Sequence, residues 1–285
     1  MAATLRRVLV TGGAGQIGRA VLDLLATEGI ASTALVLQDT GDLPSTTVVV
    51  GDAGDPDVAT RAVTGADAVI HLAAHPSPFA ATAEEVFCGN TRATFTVLEA
   101  AGRHGIRRAA IASSYAIAGL TFAASPVRPA YLPFDAAIPL RITDPYALSK
   151  QTDEATAAMM ARRHGMSVPA LRLPLVSDAA VGLPKVAARY AESPAAGAGE
   201  VWSYLDVRDA ARAFLRAVQV APAGAPVLYV AAPETLMRQP TEDLLDVYLP
   251  DVPRRTTFTG RAVPIDLAPV RAVLGFTARH IFSPK

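Results

Sequence analysis

The stretch Val8-Leu9-Val10-Thr11-Gly12-Gly13-Ala14-Gly15-Gln16-Ile17-Gly18 runs from an apolar segment through a glycine-rich turn into an amphipathic one. Strand, turn and helix in that order are what a chain needs to hold a dinucleotide. Gly12 or Gly13 allows the tight turn, Gly15 lets the backbone approach a pyrophosphate, and Gly18 lets helix and strand pack closely. The helix start at Gln16 and Ile17 then offers free N–H groups and a partial positive charge to the diphosphate. The plainer alternative is a strand-to-helix turn that merely needs flexible residues.

About 20 residues beyond such a turn an acidic side chain is expected at the adenosine ribose. Gln38 and Asp39 stand there, and no lysine or arginine lies between Thr33 and Thr60. A carboxylate at Asp39 accepts from a 2′-hydroxyl and repels a 2′-phosphate, which favours NAD over NADP. Gln38 is the alternative occupant of the deciding position, Arg19 is the cation that could swing toward a phosphate, and either polar residue could simply end a strand in solvent.

Further along, short β-branched runs alternate with Ala/Leu-rich segments of helical period, the pattern of βαβ units. Strands are predicted at Arg7–Val10, Thr33–Leu37, Thr47–Val50, Ala68–Leu72, Ala109–Ala112 and Val168–Leu173. Helices are predicted over Gln16–Glu28, Glu84–His104 and Pro145–His164, each ending near a glycine suited to a left-handed stop (Gly29, Gly105, Gly165). The fold class is α/β, a Rossmann-type doubly wound parallel sheet with a small C-terminal lobe. The predicted domains are 1–174, binding dinucleotide, and 175–285, mainly binding substrate, with 200–220 returning to the sheet layer. The stretch Ala118–Asp144, with Pro126, Pro129, Pro133 and Pro139, reads as a long ordered loop, a kind of segment more often functional than not.

The 285 residues carry 26 basic and 26 acidic side chains, so no net field draws the chain to nucleic acid or to an anionic membrane. Cys88 is the only cysteine, which excludes an intramolecular disulfide and a multi-thiolate zinc site. The chain shows neither a signal-peptide core nor an apolar run of membrane-spanning length. The expectation is a soluble cytoplasmic protein with a small-molecule substrate. His71 and His75 have the spacing of a metal-binding helix, but His71 belongs to a predicted strand, whose period separates the rings, so no metal site is expected.

Tyr146-Ala147-Leu148-Ser149-Lys150 sets a phenol and an ammonium on one face of a helix, about 40° apart around the axis and roughly 6 Å along it. A free phenol ionises near pH 10, so phenolate chemistry near neutrality requires about 4 kcal/mol of preferential stabilisation. A nearby cation supplies part of it. Ser113-Ser114 closes the strand Ala109–Ala112. One group must take the proton of a carbinol while another orients its oxygen, and Tyr146 and Ser114 can divide those tasks. The alternative for Ser114 is a polar strand end bonded to its own backbone.

With these segments assembled, the chain resembles the extended short-chain dehydrogenase/reductase family in its NAD-dependent epimerase/dehydratase branch. The matching pieces run in family order: Thr11–Gly18, Gly51-Asp52, His71–Ala74, Asn90-Thr91, Ser113-Ser114, Tyr146–Lys150, Leu205–Asp209 and Leu274–Phe276. The resemblance implies that Tyr146 is the general acid/base and that Lys150 favours its phenolate while bonding the nicotinamide ribose. Ser114 would hold the substrate oxygen. It further implies that Asp52 and Ala53 contact adenine, that Leu72, Ala73 and Ala74 line the cofactor channel, and that Asn90 and Pro174 stand near the nicotinamide. In relatives the helices matching Glu84–His104 and Pro145–His164 form a dimer's four-helix bundle, which makes a homodimer an expectation.

Relatives acting on nucleotide sugars show Arg-x-x-Asn and a Gly-Pro turn where this chain has Arg172-Leu173-Pro174-Leu175, and their following segment is longer. The compact pocket this implies is similar to that of uronate dehydrogenases, although no unambiguous arginine presents itself for a carboxylate. Tyr115, replacing a usually small residue, narrows the pocket, and His75 either points into it with Ser77 or faces solvent. Three functions compete: an NAD(P)-dependent oxidoreductase acting on a secondary alcohol or ketone of a small sugar-like substrate, a sugar or nucleotide-sugar epimerase, and a non-catalytic dinucleotide-binding module. An intact Ser114, Tyr146 and Lys150 argue against the third.

Overall fold

A computed structural model describes residues 5–123 and 127–284, so Pro126 lies outside the described residues. Strands β1 (Arg7–Thr11), β2 (Ala31–Val36), β3 (Thr47–Val50), β4 (Ala68–His71), β5 (Ala109–Ser114), β6 (Ala170–Leu173) and β9 (Val227–Tyr229) form one sheet in the order β3-β2-β1-β4-β5-β6-β9. Every pairing is parallel, with Val10 opposite Ala34 on one side and Ile70 on the other. The strand order reverses between β1 and β4, which opens a crevice beyond their carboxyl ends. Such a sheet is covered on both faces, and the fully buried Val8, Leu9 and Val10 show why its strands read as continuous apolar runs.

Helices α1 (Gln16–Thr27) and α6 (Val207–Val220) pack together on one face. On the other, α3 (Ala83–Arg103) packs against α2 (Pro56–Val63) and α4 (Pro145–His164). Local chemistry sets the starts of the two long helices. Thr82 and Glu85 form a capping box on α3. Pro145 opens α4, and the Asp144 side chain accepts from the Ala147 N–H at 2.8 Å. Gly165, at φ +65°, stops α4.

The C-terminal part contains a two-stranded parallel sheet of β7 (Leu175–Ser177) and β8 (Tyr204–Asp206), together with α5 (Gly182–Glu192), α7 (Thr241–Tyr248) and α8 (Ala268–Leu274). The sequence reading returns only 200–220 to the main layer. The structure adds Val227–Tyr229 as the sheet's edge strand, a three-residue element masked by Pro222, Gly224 and Pro226. In the 118–144 loop, Leu132 and Phe134 are fully buried. Their backbones exchange hydrogen bonds with Pro253, Arg255, Pro264 and Asp266, tying the loop to the C-terminal part.

Candidate active site

A cleft of about 570 Å³ lies beyond the carboxyl ends of β1, β4, β5 and β6. The turn and α1 contribute Gly12 and Gly15 through Gly18 to its lining, and the end of β4 contributes Leu72 and Ala74. Ser114 and Tyr115 enter from the end of β5, Tyr146 and Lys150 from the first turns of α4, and Pro174 from the link between β6 and β7.

At Gly12 and Gly18 the turn leaves no space for a side chain. Gly12 has φ +67°, and a Cβ on it would lie 2.9 Å from the Ala73 nitrogen. A Cβ on Gly18 would collide with the Gly12 carbonyl oxygen. The Thr11 hydroxyl accepts from the N–H groups of Leu72 and Ala73, each at 3.1 Å, which fixes β4's exit against the turn. Gly15 caps α1 without a side-chain bond, and the first turn of α1 has no acidic residue. Its leading N–H groups and partial positive charge therefore face the cleft uncompensated, a donor set that fits a diphosphate.

At the end of β2, Gln38 and Asp39 are exposed, and Asp39 Oδ1 accepts from the Gly41 N–H at 2.9 Å. Arg19 forms an exposed bidentate pair with Asp42 at 3.0 and 3.2 Å and donates to Thr40. Asp52 accepts from the Gly54 N–H, and Ala53 is buried against the sheet. These residues flank the β1 turn on the β2 and β3 side, outside the cleft itself.

Ser114 Oγ accepts from the Ala116 N–H at 3.1 Å, so the self-bonded strand end and the cleft-facing hydroxyl are both true of it: its own proton stays available to another acceptor. Tyr146 packs edge-on against Phe122, with ring centroids 5.8 Å apart. The Lys150 ammonium lies 5.8 Å from the Tyr146 ring centroid and 3.3 Å from Asp153 Oδ2. Burial raises the Asp153 carboxyl above its ordinary value, and the Lys150 charge opposes that rise.

Ala73, His75 and Asn90 stand outside the lining of this cleft. His75 does not line the cleft, because its backbone N–H and carbonyl are clamped by the Asn90 amide at 2.7 and 3.2 Å and its ring lies against Gly89 of α3. Asn90 also stays out of the lining; it is buried and donates to Ser149 at 3.0 Å, so it positions the β4 exit and α4. Arg172 is buried in a bidentate pair with Glu154, which accepts from Ser113 as well, so it is a tie between β6 and α4. Among the described residues no cluster of three metal-ligating side chains occurs, and no helix is long and apolar enough to cross a membrane. The sequence reading also passed over Thr121 and Phe122, which reach the cleft from a loop, and Glu200, which reaches it from the end of the short 3-10 segment Pro194–Glu200; neither carries a periodic signal.

Residues 8–231 match the sequence model of the NAD dependent epimerase/dehydratase family. The chain belongs to that family. L-arabinose 1-dehydrogenase (NAD(P)(+)) of Haloferax volcanii is 32% identical over 185 residues, 59% of this chain and 66% of the relative. Uronate dehydrogenase of Pseudomonas syringae pv. tomato is 29% identical over 174 residues, 59% of this chain and 58% of the relative. The matched part thus spans less than two thirds of either curated relative. A short-chain dehydrogenase/reductase superfamily protein from Agrobacterium tumefaciens, solved with bound NAD, superposes with a TM-score of 0.74 at 25% identity, covering 96% of this chain and 93% of its own. UDP-glucose 4-epimerase from Thermotoga maritima shares the fold, with a TM-score of 0.70 at 20% identity over 96% and 94% of the two chains.

Proposed function

We propose that this member of the epimerase/dehydratase family is an NAD-dependent dehydrogenase acting on a carbinol of a small, sugar-like substrate. Support comes from one cleft in which the glycine turn, Ser114, Tyr146 and Lys150 meet. NAD, when bound, supplies the hydride acceptor. Gly15 to Gly18 would hold its diphosphate, Asp39 its adenosine ribose, and Lys150 its nicotinamide ribose. Ser114 donates to the substrate oxygen and orients it. Tyr146 takes the carbinol proton, helped by the ammonium beside its ring. Pro174, buried at the cleft wall, excludes water from the reacting end.

The same proposal takes residues 175–285 mainly as the substrate lobe. It places the protein in the cytoplasm, where the exposed Cys88 thiol stays reduced. It pairs two copies through α3 and α4, which expose Phe95 and Leu148. The epimerase alternative uses the same side chains, but the short link between β7 and β8 offers little length to hold a nucleoside diphosphate. Supplying free sugars and NAD to the purified protein tests the choice. Stoichiometric NADH absorbance is expected, and sugar turnover with no net reduction would select the epimerase instead.

A further inference from the structure

The cleft also carries a polar wall with no part in the chemistry above. Glu200, closing the 3-10 segment Pro194–Glu200, lines it together with Tyr115 and Thr121. Tyr190 of α5 donates a 2.6 Å hydrogen bond to Glu200 Oε2, as suits an ionised carboxylate. The Tyr115 and Thr121 hydroxyls are buried without a well-formed hydrogen bond among the described residues, Tyr115 lying beside both Thr121 and Glu200, and Tyr115 as a whole is 3% exposed. Buried hydroxyls are rarely left unpaired in a folded protein, so two on one wall of a cleft call for a ligand or ordered water.

The charges around this wall are one-sided. Lys150 is the only cation in the lining, and it is held by Asp153. Arg172 is occupied by Glu154. Arg189 lies over the Tyr190 ring, 5.1 Å from its centroid, and is exposed outside the cleft. Its charge and the Tyr190 hydrogen bond oppose the burial that lifts the Glu200 carboxyl above its ordinary value.

We infer that this wall binds the distal hydroxyls of a neutral aldose or polyol and rejects a uronate. A sugar hydroxyl both donates and accepts, so it can give its proton to Glu200 and take one from Tyr115 or Thr121. A carboxylate only accepts, and beside Glu200 it would set two like charges together in a dehydrated pocket. The inference rests on the dehydrogenase reading for the reaction itself, while the recognition it describes is readable by binding alone.

The test compares aldoses with uronates of like configuration, glucose with glucuronate and galactose with galacturonate. NAD reduction is followed, and binding to the NADH-loaded protein is measured by calorimetry. Wild-type protein should favour the neutral sugar by at least about 100-fold in kcat/KM. Glu200→Gln should shrink that ratio by about tenfold or more, chiefly through a lower KM for the uronate. Thr121→Val, a change at a partly exposed position, should raise the neutral sugar's KM about fivefold while coenzyme affinity holds. Equal use of both sugars by wild type, or a ratio that Glu200→Gln does not move, overturns the inference. If no sugar is oxidised, the dehydrogenase reading fails and calorimetry decides the wall separately. Neutral-sugar binding weakened by Thr121→Val upholds it; tighter uronate binding, or none of either sugar, overturns it.

Discussion

The Lys150 ammonium stands 3.3 Å from the Asp153 carboxylate one helical turn away, and the two residues are only 4% and 1% exposed. The cation beside the Tyr146 ring therefore has a buried counter-ion of its own, and Asp153 Oδ1 lacks a hydrogen-bond partner among the described residues. Removing one member of such a pair leaves the other charged and dehydrated. Asp153→Asn should lower unfolding stability by about 3–5 kcal/mol. Denaturant titration measures this, and a loss under about 1 kcal/mol would mean that Lys150 does not depend on Asp153.

Tyr146→Phe isolates proton transfer from packing. The phenyl ring retains the edge contact with Phe122 and loses only the hydroxyl. Turnover should fall by about 10²–10⁴-fold. Coenzyme affinity, read by quenching of protein fluorescence, should stay within about twofold. Full activity in this variant would remove Tyr146 from the reaction.

The proposed coenzyme preference can be tested at two carboxylates near the end of β2. Asp39 is exposed just past β2 with its Oδ1 on the Gly41 N–H, and Asp42 occupies the Arg19 guanidinium in two hydrogen bonds. Freed of that partner, Arg19 can bond a 2′-phosphate in the same bidentate manner. Asp42→Ala should tighten NADP relative to NAD by about tenfold, and Asp39→Ala should weaken NAD more than NADP. Paired Kd measurements check both, and unchanged ratios would show that neither carboxylate reads the ribose.

The parts of the site that follow chain periodicity are legible in the sequence. The β1 turn needs glycine at Gly12 and Gly18 for steric reasons visible in the spacing, and Pro145 with Asp144 announces the helix that carries Tyr146 and Lys150. The Asp55 cap and Pro56 announce α2 just as clearly, but its eight residues show too little periodicity to have been read as a helix. Other features depend on tertiary packing. Nothing local says that Asn90 will turn its amide to the His75 backbone, or that Glu200, in an irregular segment, will meet Tyr115 and Thr121 from another loop. The metal-like spacing of His71 and His75 resolves into two unrelated environments because one residue is in a strand and the other in a loop beyond it.

His71 links the glycine turn to α3 and sets an acid limit on stability. Its Nδ1 is 2.9 Å from Thr11 Oγ1 and its Nε2 is 3.1 Å from Thr94 Oγ1, with the ring fully enclosed between β4 and α3. Burial, aided by the Lys150 charge, pushes the imidazole down to about 3 from the ordinary value of 6.5. Below pH 6.5 the unfolded chain takes up a proton that the folded one refuses, so acid favours unfolding. The contribution of neutral His71 is complete above pH 6.5 and is lost progressively as pH falls toward 3. Thermal melts across this window should show Tm falling steadily in wild type and less steeply in His71→Gln, which keeps a donor and an acceptor without titrating. Because the folded protein keeps His71 neutral through this window, the Thr11 bonds to the Leu72 and Ala73 N–H groups beside the turn stay intact, and coenzyme affinity of the folded protein should hold until pH approaches 3. Parallel pH slopes for the two proteins would show that His71 does not carry this dependence.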